Sequence, residues 1–346
     1  MQKILLLSMV VILTFTGCSG ADGVNQRAPA GITEDEEVGQ GGEEGEAHPA
    51  RTDTPLPSVT QTPPDFTETP VPAVTETLEE DGATQVSVPT DFPEPWMNMP
   101  VVPEISDRVR EIYHEGQARG RNPQAFSKIG DCQNVTDYYL SVFENSDSYT
   151  LGEEFQYLQP TIDHYQGSFG RESLAVEGGF NVAAVLSPFR ADQKQCSPQW
   201  SPLTCEIRRH NPSLVIISFE EWWGKKSAET YAGYMRTVVE QTIARDVVPI
   251  LTTKADNLEG DHSINKAIVD IAREYEIPLW NFWRAAHVLP DHGLKEDGFH
   301  LTYKHHCNHF DDPLCMEHAW TWRNLTALQT LHAFRQAVAG ENVQGK

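Results

Sequence analysis

The chain has 346 residues, 26 Lys plus Arg against 50 Asp plus Glu, a formal net charge of −24 at pH 7, and six cysteines. A chain this acidic, with no long basic run, argues against nucleic acid as a partner. It carries neither a phosphate loop nor a dinucleotide fingerprint, so no cofactor is expected.

The first segment, 1–17, opens with Lys3, continues in an apolar run from Ile4 to Leu13, and ends in Phe15-Thr16-Gly17 before Cys18. A charged start, an apolar stretch too short to span a bilayer as a mature helix, and small residues before the cut predict a secretory signal. The small pair directly before a cysteine resembles the lipobox of bacterial lipoproteins. That resemblance implies lipidation of Cys18 and an extracytoplasmic protein held to the membrane only through its lipid.

Residues 18–95 shift to Gly, Pro, Thr and acid, as in "EDEEVGQGGEEGEAHP". Such a stretch has too little to bury to offset the entropy of ordering itself, which predicts a disordered, self-repelling tether with stiffened Pro-Thr stretches. Residues 19–95 carry 17 acids against two Arg, whereas 96–346 carry 33 acids against 23 Lys plus Arg. Most of the imbalance therefore belongs to the tether.

Residues 96–346 suit one large domain. In an exported protein, Cys196 with Cys205 and Cys307 with Cys315 would close short loops as disulfides and leave Cys132 outside them. Strand and helix signals alternate from there on. "AFSKIG" (125–130) has strand character, "NVTDYYLSVF" (134–143) spaces its apolar residues as a helix does, and 151–166 predicts a helix interrupted at Pro160. "SLVIISF" (213–219) and "VVPILTT" (247–253) are continuous apolar runs, the mark of strands buried on both faces. Between and after them, 227–246 and 262–276 predict amphipathic helices, 277–283 a short last strand, and 317–338 a closing helix. Strands separated by helices need crossover connections, so a mostly parallel sheet with helices on both faces is expected. Sites in such sheets gather outside the carboxyl ends of the strands, where Cys132 would stand.

Gly130-Asp131 at the end of the first strand, the turn "VEGGF" (176–180), the buried strand at 214–219 and the block "DGFHLT" (297–302) before the last helix together resemble the SGNH (GDSL-type) hydrolases, over nearly all of 125–339. The resemblance implies an α/β fold, a three-layer α/β/α sandwich of flavodoxin-like type around a five-stranded, mostly parallel sheet. It implies hydrolysis of acyl esters on lipids, acylated sugars or small substrates. It assigns Asp297 and His300 to orienter and base, puts Cys132 where the family has its nucleophilic serine, and gives the amides of Cys132 and Gly179 (or Gly178) as oxyanion donors.

Such a set is chemically coherent on its own terms, because acyl transfer needs a nucleophile, a base, a group to orient the base and donors for the oxyanion. A thiol beside an imidazole ionises readily. The family's oxyanion asparagine is absent: Glu220, Glu221, Trp222 and Trp223 occupy its block. A carboxylate such as Glu220 near the hole would oppose an oxyanion. The expected substrate is a small acylated molecule, with cell-wall or extracellular glycans as carriers, for an ester- or thioester-cleaving enzyme. The alternative is a degenerate module that holds a glycan with Trp222 and Trp223. An inverting glycosidase built on Glu220 and Asp297 is a weaker third.

Further candidates are the histidines of "HHCNHFDDPLCMEH" (305–318), which invite zinc but fit no finger spacing, so no metal is expected. Arg171 would clamp a substrate carboxylate or pair with an acid. Asn257 is a possible stand-in for the missing donor.

Overall fold

The computed structural model describes residues 92–220 and 227–339. The predicted signal (1–17), Cys18, nearly all of the tether and the trio Glu221, Trp222 and Trp223 lie outside the described residues.

In chain order the main elements are α1 (Asp107–Ala118), β1 (Asn122–Gly130), the short helices α2 (Gly152–Phe155) and α3 (Gln159–His164), α4 (Pro202–His210), β2 (Pro212–Ser218), α5 (Ala228–Ile243), β3 (Val248–Thr252), α6 (Ser263–Glu274), β4 (Leu279–Trp280), α7 (Phe282–His287) and α8 (Ala319–Ala339). Helix starts follow from side chains able to accept the orphan N–H groups of a first turn. Ser106, Ser201 and Ser227 cap α1, α4 and α5 by accepting from Val109, Thr204 and Thr230. Three basic residues, Arg208, Arg209 and His210, close α4, where the helix dipole favours positive charge.

The strands are all parallel and adjacent in the order β1-β2-β3-β4. The described sheet thus has four strands rather than the expected five. Where a fifth would lie, at the open edge of β1, the chain makes a single parallel bridge from Gly130 to Val176. The following residues turn away at once into the glycine turn, so pairing goes no further. Every residue of β2 and β3 is buried. Alternate side chains feed two cores, as the period of a strand requires. Leu214, Ile216, Val248 and Ile250 pack with α1, α3 and α8 on one face; Val215, Ile217 and Leu251 pack with α4, α5 and α6 on the other.

Three sequence expectations need correction. Residues 134–143 form turns and a 3-10 segment, Ser141–Glu144, with Leu140 left-handed at φ 67°. The helix expected over 151–166 is three pieces, with Pro160 in the first turn of the last, where its missing N–H costs nothing. Of 277–283 only Leu279–Trp280 is strand, and Phe282 begins α7. Both disulfides expected from spacing are present, Cys196–Cys205 and Cys307–Cys315. Among the described residues no helix is long and apolar enough to cross a membrane.

Candidate active site

β1 ends in a tightly packed corner. A methyl group on Gly130 would stand 2.1 Å from Asn134 Nδ2 and 2.2 Å from the Ser218 carbonyl oxygen, so only glycine fits. The next residue, Asp131, is fully buried and uses both carboxylate oxygens. Oδ1 accepts the Gln133 N–H at 3.1 Å and Oδ2 accepts the Glu220 N–H at 2.7 Å. The aspartate thereby stitches the end of β1 to the end of β2 and caps the short 3-10 turn Cys132–Asn134. Asn134 closes the corner by donating to the Ser218 carbonyl at 2.9 Å. Cys132, half-buried and in neither disulfide, is the first residue of that turn. Gly130→Ala is expected to lose about 1–3 kcal/mol of stability through overpacking, read as a lower urea midpoint with an unchanged slope.

Against this corner lies the turn 177–180. Phe180 N–H donates to the Glu177 carbonyl at 3.0 Å, with Gly179 at φ 83° in the third position, the type II pattern that calls for glycine. A methyl at Gly178 would touch Cys132 Cβ at 4.0 Å. The glycine turn therefore lies beside the Cys132 side chain.

His300 and Asp297 come from a hairpin, 293–302, pinned by the Leu294–Leu301 bridge and by Lys295 N–H donating to the His300 carbonyl at 2.8 Å. Gly298 at φ 66° makes the tip. Asp297 Oδ1 accepts the N–H groups of Phe299 (3.0 Å) and His300 (2.9 Å), and Oδ2 lies 2.6 Å from His300 Nδ1. Partial desolvation raises the Asp297 carboxyl, but the imidazole and the two backbone donors outweigh it and bring it down to about 2. The carboxylate is thus ionised at neutral pH. An ionised carboxylate only accepts, so this hydrogen bond places a proton on His300 Nδ1 and fixes how the ring is turned.

One hydrogen bond ties the two halves together. Gln133 Nε2 donates to the Phe299 carbonyl at 3.0 Å, so the residue after Cys132 grips the residue before His300. Cys132, Gly178, Gly179, Asp297 and His300 are brought to the carboxyl-end rim of the sheet.

Beneath the corner is a buried ion pair. Arg323 of α8, fully buried, donates through Nη2 to Glu220 Oε1 at 3.0 Å and to Ser218 Oγ at 2.8 Å, and Ser218 Oγ donates to Glu220 Oε1 at 2.6 Å. The rings of Tyr139, Trp280 and Phe282 surround the guanidinium with centroids 4.9–5.4 Å away. Glu220, expected to oppose an oxyanion or to serve a glycosidase, is instead buried and matched by Arg323. Its backbone N–H supports Asp131, so its service to the site is positional.

No family model matches this chain, and no curated protein matches it. Among solved structures, the chain is similar to a crystal structure of a GDSL-like lipase from Bacteroides thetaiotaomicron at 16% identity, covering 66% of this chain and 98% of that one, with a TM-score of 0.38. It is similar to the crystal structure of TesA at 13% identity, covering 59% of this chain and 99% of that one, with a TM-score of 0.36.

The remaining sequence candidates fall outside this cluster. Arg171 pairs with buried Glu206 at 2.8 Å and donates to Ser127 Oγ at 2.9 Å, the acid-pairing alternative. Asn257 accepts the His262 N–H at 2.8 Å and so closes its own loop. In 305–318 the disulfide takes both sulfurs, and among the described residues no group of three His, Cys, Asp or Glu side chains is arranged to hold a metal. Gln133 and Arg323, both unremarked in the sequence, carry the long-range ties. A lone arginine inside the apolar face of the last helix was the available signal for the second.

Proposed function

We propose that the protein hydrolyses acyl esters or thioesters, with Cys132 as nucleophile, His300 as general base, Asp297 as its orienter, and the amides of Cys132 and Gly179 as oxyanion donors. The observation that carries this is the Gln133–Phe299 hydrogen bond, which joins the Cys132 turn to the hairpin on which Asp297 holds His300 through Nδ1. In the reaction the Cys132 thiol gives its proton to His300 Nε2 and its sulfur attacks the acyl carbon. The leaving alcohol or thiol takes that proton as its bond to carbon breaks. Water, deprotonated by His300, then attacks the thioester and releases the acid, and the thiolate recovers a proton.

The resemblance to SGNH hydrolases favours the same residues and a sandwich of that type, and the single Gly130–Val176 bridge fits a vestigial fifth strand. With that bridge counted, the strand order is 2-1-3-4-5, whose switch point lies at β1. Two disulfides favour an oxidising, extracytoplasmic compartment, consistent with a lipid anchor at Cys18.

The test is turnover of p-nitrophenyl acetate and of a small thioester by the full chain, beside Cys132→Ala, Cys132→Ser and His300→Ala. The wild type is expected to turn over at least one of them, and His300→Ala to lose on the order of 10²–10⁴ of the rate. Iodoacetamide should label Cys132 and block turnover. Wild-type protein inert toward both esters and unlabelled, or Cys132→Ala with full activity, overturns the proposal.

A further inference from the structure

A cavity of about 470 Å³ lies at the amino end of β1, between α1, α3 and α8. Pro123 lines it, whereas Gly130 ends the strand next to Cys132. At about 3.3 Å per residue, roughly 20 Å of strand separates the cavity from the thiol. Arg335 of α8, Gln117 of α1, His164 of α3 and the phenols Tyr113 and Tyr165 line it too, and no aspartate or glutamate does. The domain around it carries 33 acids against 23 Lys plus Arg. Two donors at the cavity have no acceptor among the described residues. Gln117 Nε2 is buried without a hydrogen-bond partner, and neither an ion pair nor a hydrogen bond holds the half-buried Arg335. Buried donors are almost always paired, so an orphan of this kind needs a cause. The Arg335 charge also reaches across the cavity. It adds to the lowering that burial imposes on His164, and it opposes the rise that burial imposes on Tyr165. His164 Nε2 donates to the Pro123 carbonyl at 3.0 Å and offers the guanidinium no negative partner.

We propose that this cavity is a binding site for a small organic carboxylate, with Arg335 receiving the carboxylate, Gln117 adding an N–H, and Pro123, Val338 and Ala339 enclosing a short apolar body. The site uses none of the residues assigned to ester hydrolysis and stands or falls without them. A guanidinium presents its N–H groups in a planar fork that matches the two oxygens of a carboxylate. The volume falls within the range of small-molecule sites, about 300–1,000 Å³, in which apolar walls bind and a few polar groups orient. Inorganic phosphate would satisfy the donors but leave the apolar walls against water. A long polyanion would have to run over a domain that is net negative outside the cavity.

The test is calorimetric titration of the full chain with sodium benzoate at constant ionic strength, beside benzyl alcohol, which has the body without the charge, and inorganic phosphate, which has charge without the body. Benzoate is expected to bind about tenfold or more tighter than either, the scale of one charge-assisted hydrogen bond. Arg335→Gln should weaken benzoate about tenfold or more, and Gln117→Leu about threefold. Cys132→Ala and His300→Ala should bind it within about twofold of the wild type, because substitutions at distant sites act independently. Urea midpoints of all four variants report folding. Absence of benzoate binding overturns the site, as does unchanged affinity in folded Arg335→Gln and Gln117→Leu. Benzyl alcohol binding as tightly as benzoate reduces the cavity to an apolar hole, and phosphate binding as tightly removes the organic body from the proposal; either result overturns it. Loss of benzoate binding in Cys132→Ala or His300→Ala also overturns it, since the carboxylate would then sit at the carboxyl-end rim.

Discussion

Arg323→Ala is expected to cost about 3–5 kcal/mol, because it strands the buried Glu220 carboxylate without its cation. Arg323 and Glu220 are both buried, and Glu220 Oε1 receives both the guanidinium and the Ser218 hydroxyl. Removing the guanidinium also empties the space between Tyr139, Trp280 and Phe282. A pair of this kind adds little over an apolar pair of equal size but is costly to halve. The double variant Arg323→Met, Glu220→Gln is therefore expected to recover most of what Arg323→Ala loses. Urea unfolding of the three proteins measures this directly. A loss below about 1 kcal/mol in Arg323→Ala would show that the pair is not desolvated as described. The effect should extend to the site, since Glu220 N–H holds Asp131 and Asp131 caps the Cys132 turn. Under the proposed chemistry, Arg323→Ala should then lower the ester turnover of whatever fraction remains folded.

What could be read from the sequence was whatever is local in the chain. "SLVIISF" and "VVPILTT" declare central strands because nothing in them is polar enough for a wet face. Asp297 and His300 could be paired in advance because three residues of one hairpin separate them. Residues 134–143 misled for a physical reason. Tyr139, Leu140 and Phe143 are spaced like a helical face, but their apolar side chains plug the sheet from a loop. The helix hydrogen bonds they forgo are replaced by Asn324 of α8, which accepts from Leu140 N–H at 2.8 Å and donates to the Tyr138 carbonyl at 3.2 Å. A periodicity test sees only the spacing and not the distant asparagine. The same holds for Gln133–Phe299, 166 residues apart. The expected fifth strand failed differently: the glycines that let the 176–180 turn approach Cys132 end the pairing after one bridge.

Stability is expected to rise with pH between about 7 and 10 through one residue, Lys128. Its side chain is buried behind β1, where Nζ donates to Thr136 Oγ1 and the Phe169 carbonyl, each at 3.1 Å, and among the described residues no carboxylate pairs with it. Desolvation, with Arg171 adding repulsion and Glu206, Glu172 and Glu144 opposing it, lowers its pKa to about 7. The unfolded chain keeps an ordinary lysine near 10.4. Between those values the unfolded state binds the proton that the native state has given up. The slope of stability against pH is therefore positive, up to about 1.4 kcal/mol per unit. Below pH 7 both states are charged and the penalty of burying the cation is fully present. Lys128→Met removes the titrating group and forfeits the two hydrogen bonds at every pH, a loss of about 1–3 kcal/mol. Near pH 7 the relief of a buried charge offsets that loss. By pH 9 it no longer does, because the wild type is by then neutral there as well. Urea unfolding at pH 7, 8 and 9 should show the wild type gaining roughly 2–3 kcal/mol on the variant across the range. The buried tyrosines Tyr139 and Tyr165 are pushed up and act in the opposite sense only above pH 10, and they do so equally in both proteins. Parallel pH profiles for wild type and Lys128→Met would mean that the ammonium stays charged inside the fold, held by the carbonyl dipoles around it rather than neutralised by its burial.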